Sequence, residues 1–124
     1  MHELGIASEV LRAALAEAAR HGATGVARVG LRVGVLRAVV PANLSFLFGH
    51  VAAGTIAEGA ELEVEEEPVS LSCRSCGARS ASSSLPTDCP SCGAPGVHAE
   101  GGDELRIVEV DLDVPDGGAA EGGA

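Results

Sequence analysis

The sequence contains no lysine, tryptophan or tyrosine, and only two phenylalanines. Without lysine there is no phosphate-loop lysine, no Schiff-base lysine and no lysine general base. With so few aromatic side chains, stacking platforms for single-stranded nucleic acid are nearly absent. A formal net charge of −10 also opposes binding to a polyanion or to an acidic membrane surface. These features argue against a nucleotide hydrolase and against a nucleic-acid-binding protein.

Long apolar runs are also missing. No stretch approaches the roughly 18 to 20 apolar residues that span a bilayer, and the first residues lack the basic start and apolar stretch of a signal peptide. We therefore expect a cytoplasmic protein with no membrane partner. No Ser/His/Asp or Cys/His arrangement and no glycine-rich phosphate loop stands out, so we do not expect an enzyme.

Hydrophobic periodicity predicts two helices and three strands. Apolar residues at helical spacing indicate amphipathic helices over residues 4–20 and 41–54, and Gly22 is a plausible terminator of the first. Alternating apolar residues predict strands over 26–35, 61–65 and 105–114. In the last of these, Val108, Val110, Leu112 and Val114 alternate with acidic residues.

Four cysteines form two C-x-x-C turns, Cys73-Arg-Ser-Cys76 and Cys89-Pro-Ser-Cys92, each followed by a glycine. Two thiolates on one tight turn lie on the same side of a cation, and two such turns complete a tetrahedron. Soft thiolates in this geometry select zinc, with iron as the usual rival. Four thiolates leave no position open for water, so we expect a structural zinc. The alternative is that the cysteines form two redox pairs or remain as unligated thiols. A thioredoxin-like redox motif opens a helix after a strand, and neither cysteine pair does so.

The segment between the two cysteine pairs is rich in serine and alanine, with Leu85 as its one large apolar residue. It cannot fold by burial alone, so zinc is expected to supply its stability. We therefore predict an α+β fold: two helices packed on a small three-stranded sheet, with an inserted zinc-ribbon-like knuckle domain over residues 69–102. Residues 1–68 and 103–114 form the other predicted domain, and the tail 115–124 is expected to be disordered.

The amino terminus, Met1-His2-Glu3, is a second candidate metal site. The α-amine of Met1 with the amide and imidazole of His2 can occupy adjacent corners of a square plane, and Glu3 offers its amide or carboxylate. This geometry suits nickel(II) or copper(II). A frayed terminus without metal is the simpler alternative. His98, which follows the second cysteine pair in a glycine-rich loop, is either a solvated loop histidine or a substitute zinc ligand or hydrogen-bond donor to the site.

Several motifs together resemble the HypA/HybF family of nickel-insertion accessory proteins for [NiFe]-hydrogenase. They are the opening Met1-His2-Glu3-Leu4 with its helix, Leu31-Arg-Val-Gly34, Pro41-Ala-Asn-Leu44-Ser-Phe46, Gly54-Thr-Ile-Ala-Glu-Gly59-Ala-Glu-Leu62, the paired C-x-x-C turns and Glu104-Leu-Arg-Ile-Val-Glu-Val110. The resemblance covers about residues 1–114, in the same order and spacing. The chain departs from the family in its lack of lysine and in its Gly- and Ala-rich tail, and neither departure touches a metal ligand.

The resemblance implies a nickel metallochaperone. It implies nickel at His2, aided by Met1 and Glu3, and zinc at the four cysteines, Cys73, Cys76, Cys89 and Cys92. It also implies delivery of nickel to the hydrogenase large subunit precursor together with a partner GTPase. The sequence leaves open which hydrogenase is served, whether urease is also supplied, the nickel affinity, and whether the protein is a monomer or a weak homodimer.

Two alternatives belong to other functional classes. A zinc ribbon that binds nucleic acid is disfavoured, because the cysteine segment has no basic stripe to meet phosphates. A zinc-only protein-interaction module with an inert amino terminus is the stronger rival, and nickel binding by the untagged protein distinguishes it from the metallochaperone.

Overall fold

The computed structural model describes residues 2–115, apart from the His2 side chain. Helix α1 spans His2–Arg20 and helix α2 spans Pro41–Ala52. The strands are β1 (Gly25–Gly34), β2 (Glu61–Glu67), β3 (Val69–Ser72), β4 (Arg79–Ser82), β5 (His98–Glu100) and β6 (Leu105–Asp113), with a 3₁₀ turn at Val35–Arg37. They form two three-stranded sheets with the orders β2-β1-β6 and β4-β3-β5. The predicted α+β class is confirmed, and the predicted tail lies outside the described residues except for Pro115.

Helix α1 forms because small and apolar residues recur at helical spacing along one side. Its buried residues are Ile6, Ala7, Val10, Ala14 and Ala18. Gly22 ends the helix with a φ of +64°, and the N–H of the following Ala23 bonds to the carbonyl of Ala18 at 2.9 Å. This is the Schellman arrangement, in which a left-handed glycine lets the chain satisfy the last free carbonyls.

Contacts between residues divide the chain into two compact units. The described residues of the first fall within Met1–Leu31, Val39–Val64 and Ile107–Ala124, and those of the second within Arg32–Ala38 and Glu65–Arg106. In the first unit α1 packs against α2, whose Leu44 and Phe48 are fully buried. The predicted division into domains, 1–68 plus 103–114 and 69–102, stays a prediction.

The second sheet was not predicted from the sequence. In β3, Val69 and Leu71 are buried and alternate with serines, but the strand is only four residues long. Strands β4 and β5 contain no large apolar residue, so periodicity gives no signal for either. Both pair with β3 in antiparallel register, Ser72 lying opposite Arg79 on one side and His98 on the other.

Gly34 lies where the end of β1 meets the loop before β6. A Cβ atom at this position would lie 2.1 Å from the carbonyl carbon of Gly102. Because the atom it would clash with belongs to the backbone, it cannot move aside as the end of a flexible side chain could. Its φ of −65° suits any residue, so space alone requires glycine here. We expect Gly34→Ala to lower the free energy of unfolding by about 3 kcal/mol or more, as measured by urea denaturation of the zinc-loaded protein.

Gly49→Ala is the matched control for that substitution. Gly49 lies within α2, and a Cβ there would meet no atom within 4 Å. Alanine is the better helix former, so this variant should gain about 0.5–1 kcal/mol. Equal stability of the two variants would contradict the close backbone crossing at Gly34.

Glu67 and Glu104 form a carboxyl pair in the second unit. The hydrogen bond that a protonated Glu104 can donate to Glu67 and the electrostatic repulsion between the two carboxylates raise the pKa of Glu104, although Arg106 partly opposes the shift. One oxygen of Glu67, Oε1, is buried and has no hydrogen-bond partner among the described residues. Glu104 therefore holds its proton more tightly when the protein is folded, so its contribution to stability is greatest at acidic pH and is lost as pH rises through the raised pKa.

We expect Glu104→Gln to raise the urea midpoint at pH 7, because an amide donates to Glu67 without needing a proton. The gain should shrink as pH falls toward the ordinary carboxyl range, where wild-type Glu104 is itself protonated. Glu66→Gln, at an exposed neighbouring position, serves as the control. A gain that is independent of pH would show that the carboxyl pair is not the cause.

No helix within the described residues combines the length and the apolar character needed to cross a membrane.

Candidate metal centre

The two cysteine turns repeat one backbone design. In the first, the N–H of Gly77 bonds to the carbonyl of Cys73 at 2.9 Å, and the N–H of Cys73 bonds to the carbonyl of Ala78 at 3.1 Å. In the second, Gly93, Cys89 and Ala94 make the equivalent bonds at 2.9 and 2.8 Å. Gly77 and Gly93 have φ values of +75° and +80°, a left-handed conformation that side chains rarely adopt. This explains why a glycine follows each cysteine pair.

The four cysteine sulfurs converge. All four Sγ atoms lie within 4.8 Å of one another, and the pairs Cys73–Cys92 and Cys76–Cys89 are each 3.8 Å apart. A tetrahedral zinc site with bonds of about 2.3 Å has edges of about 3.8 Å between sulfurs. The donor set and its spacing therefore fit a tetrahedral metal such as zinc. Cys73 and Cys89 are buried, whereas Cys76 and Cys92 are on the surface.

Backbone N–H groups prepare the buried sulfurs to be thiolates. The N–H groups of Cys92 and Ser91 point at the sulfur of Cys89, at 3.4 and 3.3 Å, and lower the pKa of that thiol to about 6. The equivalent backbone groups of Cys76 and Ser75 lower the pKa of Cys73, although burial opposes this.

Crowding has the opposite effect on the last thiol. The N–H of Ala94 alone would lower the pKa of Cys92, but burial and the three neighbouring thiols outweigh it and raise the pKa to about 11. Four thiolates cannot stay ionised this close together without a cation. The site thus offers negative charge and soft donors but needs a metal ion to hold all four in the ionised form.

His98 lies on strand β5 rather than in the glycine-rich loop that the sequence suggested. Its Nε2 contacts Glu100 at 3.2 Å, and more than half of the side chain is exposed. Among the described residues, the cluster of metal-binding side chains consists of the four cysteines alone. The structure therefore gives His98 no place in that cluster.

The other predicted metal site begins helix α1. Met1 and the His2 side chain lie outside the described residues, whereas the His2 backbone is the first helical residue. The carboxylate of Glu3 accepts a hydrogen bond from the backbone N–H of Val40 at 3.0 Å. Val40 caps the start of α2, so Glu3 links the beginnings of the two helices. No sequence pattern indicates this contact, because it joins residues 37 positions apart.

A family model matches residues 1–112, and its description reads "Hydrogenase/urease nickel incorporation, metallochaperone, hypA". Curated relatives named "Hydrogenase maturation factor HypA" align over most of their length. The one from Picosynechococcus is 36% identical over 90% of this chain and 99% of its own. The one from Streptomyces avermitilis is 42% identical over 89% of this chain and 86% of its own.

Two solved structures share the fold. The solution structure of the Ni metallochaperone HypA from Helicobacter pylori has a TM-score of 0.61 at 20% identity, covering 90% of this chain and 97% of that one. A second solution structure of a HypA protein has a TM-score of 0.64 at 22% identity, covering 90% of this chain and 96% of that one.

Proposed function

This chain belongs to the HypA family of hydrogenase/urease nickel incorporation metallochaperones, and on that premise we propose that it binds nickel(II) at Met1, His2 and Glu3 and zinc at its four cysteines. We further propose that it delivers the nickel to a hydrogenase large subunit precursor with the help of a GTPase. The observation that carries the proposal is that helix α1 begins at His2, so that the backbone of His2 and Glu3 belongs to its first turn.

The first turn of a helix suits this kind of metal site. Its leading backbone N–H groups have no acceptor within the helix, so the amides of His2 and Glu3 can give up their protons without breaking a helical hydrogen bond. The positive end of the helix dipole also favours a deprotonated amide. With the terminal amine and the imidazole, these nitrogens provide the square-planar donor set that nickel(II) prefers.

Glu3 contributes its amide rather than its carboxylate in this proposal. The carboxylate already accepts the N–H of Val40, which leaves the amide to complete the square plane. The same contact holds the residue after His2 against the start of α2. We infer that Glu3 positions the site as well as binding the metal.

The two proposed metal sites differ in how far they enclose the ion, as their different roles require. The cysteine site encloses its cation with four thiolates, two of them buried, which suits a zinc ion that stays in place. When bound, zinc supplies the positive charge that stabilises four adjacent thiolates and so cross-links the knuckle. The terminal site uses the chain end, where a cargo ion remains open to a receiving protein.

The test is a nickel titration of untagged, zinc-loaded protein by calorimetry and visible absorption. We expect about one nickel per chain for the wild type and loss of that binding in His2→Ala, with zinc retained in both. His50→Ala is the matched control, because His50 is an exposed histidine on α2. Equal nickel binding by wild type and His2→Ala, or none by either, would overturn the terminal site and favour the zinc-only interaction module.

A further inference from the structure

Strand β6 forms an edge of the first sheet, since the strand order is β2-β1-β6. It runs antiparallel to β1, as the bonds from Thr24 N–H to Asp113 O at 2.8 Å and from Gly34 N–H to Glu104 O at 2.7 Å show. Alternate residues of β6 therefore direct their backbone N–H and C=O groups away from the sheet. Within residues 2–115 no strand covers this edge, which is nine residues long. Such an edge is a template for another strand.

One side of this edge is an apolar groove. Four alternate side chains of the edge line it, Val108, Val110, Leu112 and Val114, and Ile107, Glu109, His21 and Ala13 and Glu17 of α1 complete the lining. The groove has a volume of about 590 Å³. Val108 is 44% exposed, and the other three are half-buried. The ionisable side chains at the groove are Glu17, His21 and Glu109. Val110, Leu112 and Val114 carry no charge, so this part of the edge lacks the inward-pointing charge that protects many edge strands.

The other side of the edge is acidic. Glu109, Asp111 and Asp113 are exposed, and Glu109 also lines the groove. Glu109 and Asp111 share a single cation, Arg28 of β1, with Glu63 of β2. One guanidinium cannot neutralise three carboxylates, so this side keeps an excess of negative charge.

These negative charges determine which kind of strand can pair with β6. A second copy of the chain paired along β6 would bring Glu109, Asp111 and Asp113 of the two copies against one another, and like charges on paired strands repel. A strand with basic side chains on that side would meet opposite charges, and its intervening apolar side chains would enter the groove.

We propose that β6 docks an extended segment of a partner protein in which apolar residues alternate with lysine or arginine. The backbone of the segment pairs with the free groups of β6, its apolar side chains pack on Val110 and Leu112, and its cations lie beside Asp111 and Asp113. This is strand addition, in which main-chain bonds provide affinity and alternate side chains provide specificity. The surface is independent of the proposed nickel site, so the two proposals stand or fall separately.

The test uses a peptide of about nine residues with alternating valine and lysine, added to nickel-free, zinc-loaded full-length protein. Binding is followed by fluorescence anisotropy, and the contact is located by NMR through amide shifts and hydrogen exchange. A peptide with the same residues in two blocks keeps the composition and charge but loses the alternation. Val108→Lys places a cation in the groove, and Ile56→Lys is the matched control, because Ile56 is also 44% exposed but lies outside the groove.

We expect the alternating peptide to protect β6 amides from exchange, to bind at least about tenfold more tightly than the blocked peptide, and to be weakened about tenfold by Val108→Lys but not by Ile56→Lys. Equal binding of both peptides would reveal unspecific attraction to an acidic protein and overturn the proposal. Protection of β6 that grows with protein concentration in the absence of peptide would overturn it in favour of a second copy.

Discussion

Chelation of zinc from the intact protein is expected to abolish the structure of the cysteine segment while helix α1 remains folded. Between Val69 and Gly102, the buried apolar side chains are Val69, Leu71 and two of the cysteines, and Leu85 is 56% exposed. Half of that small core thus consists of proposed metal ligands. A structural zinc contributes on the order of 10 kcal/mol or more, which is comparable to the whole stability of a small domain.

Hydrogen exchange with and without chelator measures this effect residue by residue. Without zinc, the amides that pair β3 with β4 and β5 should exchange at the rate of an unfolded chain, and the buried face of α1 should stay protected. Cys89→Ala should behave like chelated wild type, because it removes a buried ligand. Ser83→Ala, at an exposed position between the cysteine pairs, should leave both the zinc content and the protection unchanged. Persistent protection of β3 in chelator would contradict a metal-dependent knuckle.

The parts of the fold that the sequence predicted are those that bury one regular face. Helix α1 and strand β1 each have a stripe of buried residues at the expected period, and β2 and β6 alternate clearly enough to be recognised. The sheet β4-β3-β5 was missed for a physical reason. Two of its strands bury no large side chain. They are held instead by pairing with β3 and by the cysteine cluster, and neither leaves a periodic pattern in the sequence.

The cysteine site was predictable because its chemistry depends on local spacing. Two C-x-x-C turns with following glycines specify a backbone that aims sulfur atoms at one point, and the structure brings all four together. Contacts between distant residues give no such signal. The carboxylate of Glu3 at the start of α2 and the crossing of Gly34 with Gly102 depend on how separate segments meet. Sequence periodicity describes one segment at a time, so neither contact could be inferred from it.

Blocking the terminal amine is expected to remove nickel binding as completely as loss of the His2 side chain. If the α-amine of Met1 is a ligand, a short Gly-Ser extension before Met1 displaces it and leaves every side chain unchanged. We expect nickel affinity to fall at least about a hundredfold, with zinc content unaffected. The same extension placed after Ala124 is the matched control and should bind nickel normally. Full affinity in the amino-terminally extended protein would show that nickel binds without the amine.

The pH dependence of nickel binding is an independent test of the same set of ligand atoms. The amine and the imidazole of His2 must each be unprotonated to bind, and their ordinary pKa values lie near 8 and 6.5. The two backbone amides of the proposed site each release a further proton on binding nickel. Each displaced proton makes binding about tenfold weaker per pH unit below the pKa of its group. The two amides and the amine together should therefore lower the affinity about a thousandfold per unit near pH 7, and the imidazole adds to this below its own pKa. The extended variant lacks the amine and should lose that part of the slope. Acidification would then release nickel from the terminus, and an affinity that stays constant between about pH 6 and 8 would be incompatible with an amine and imidazole site.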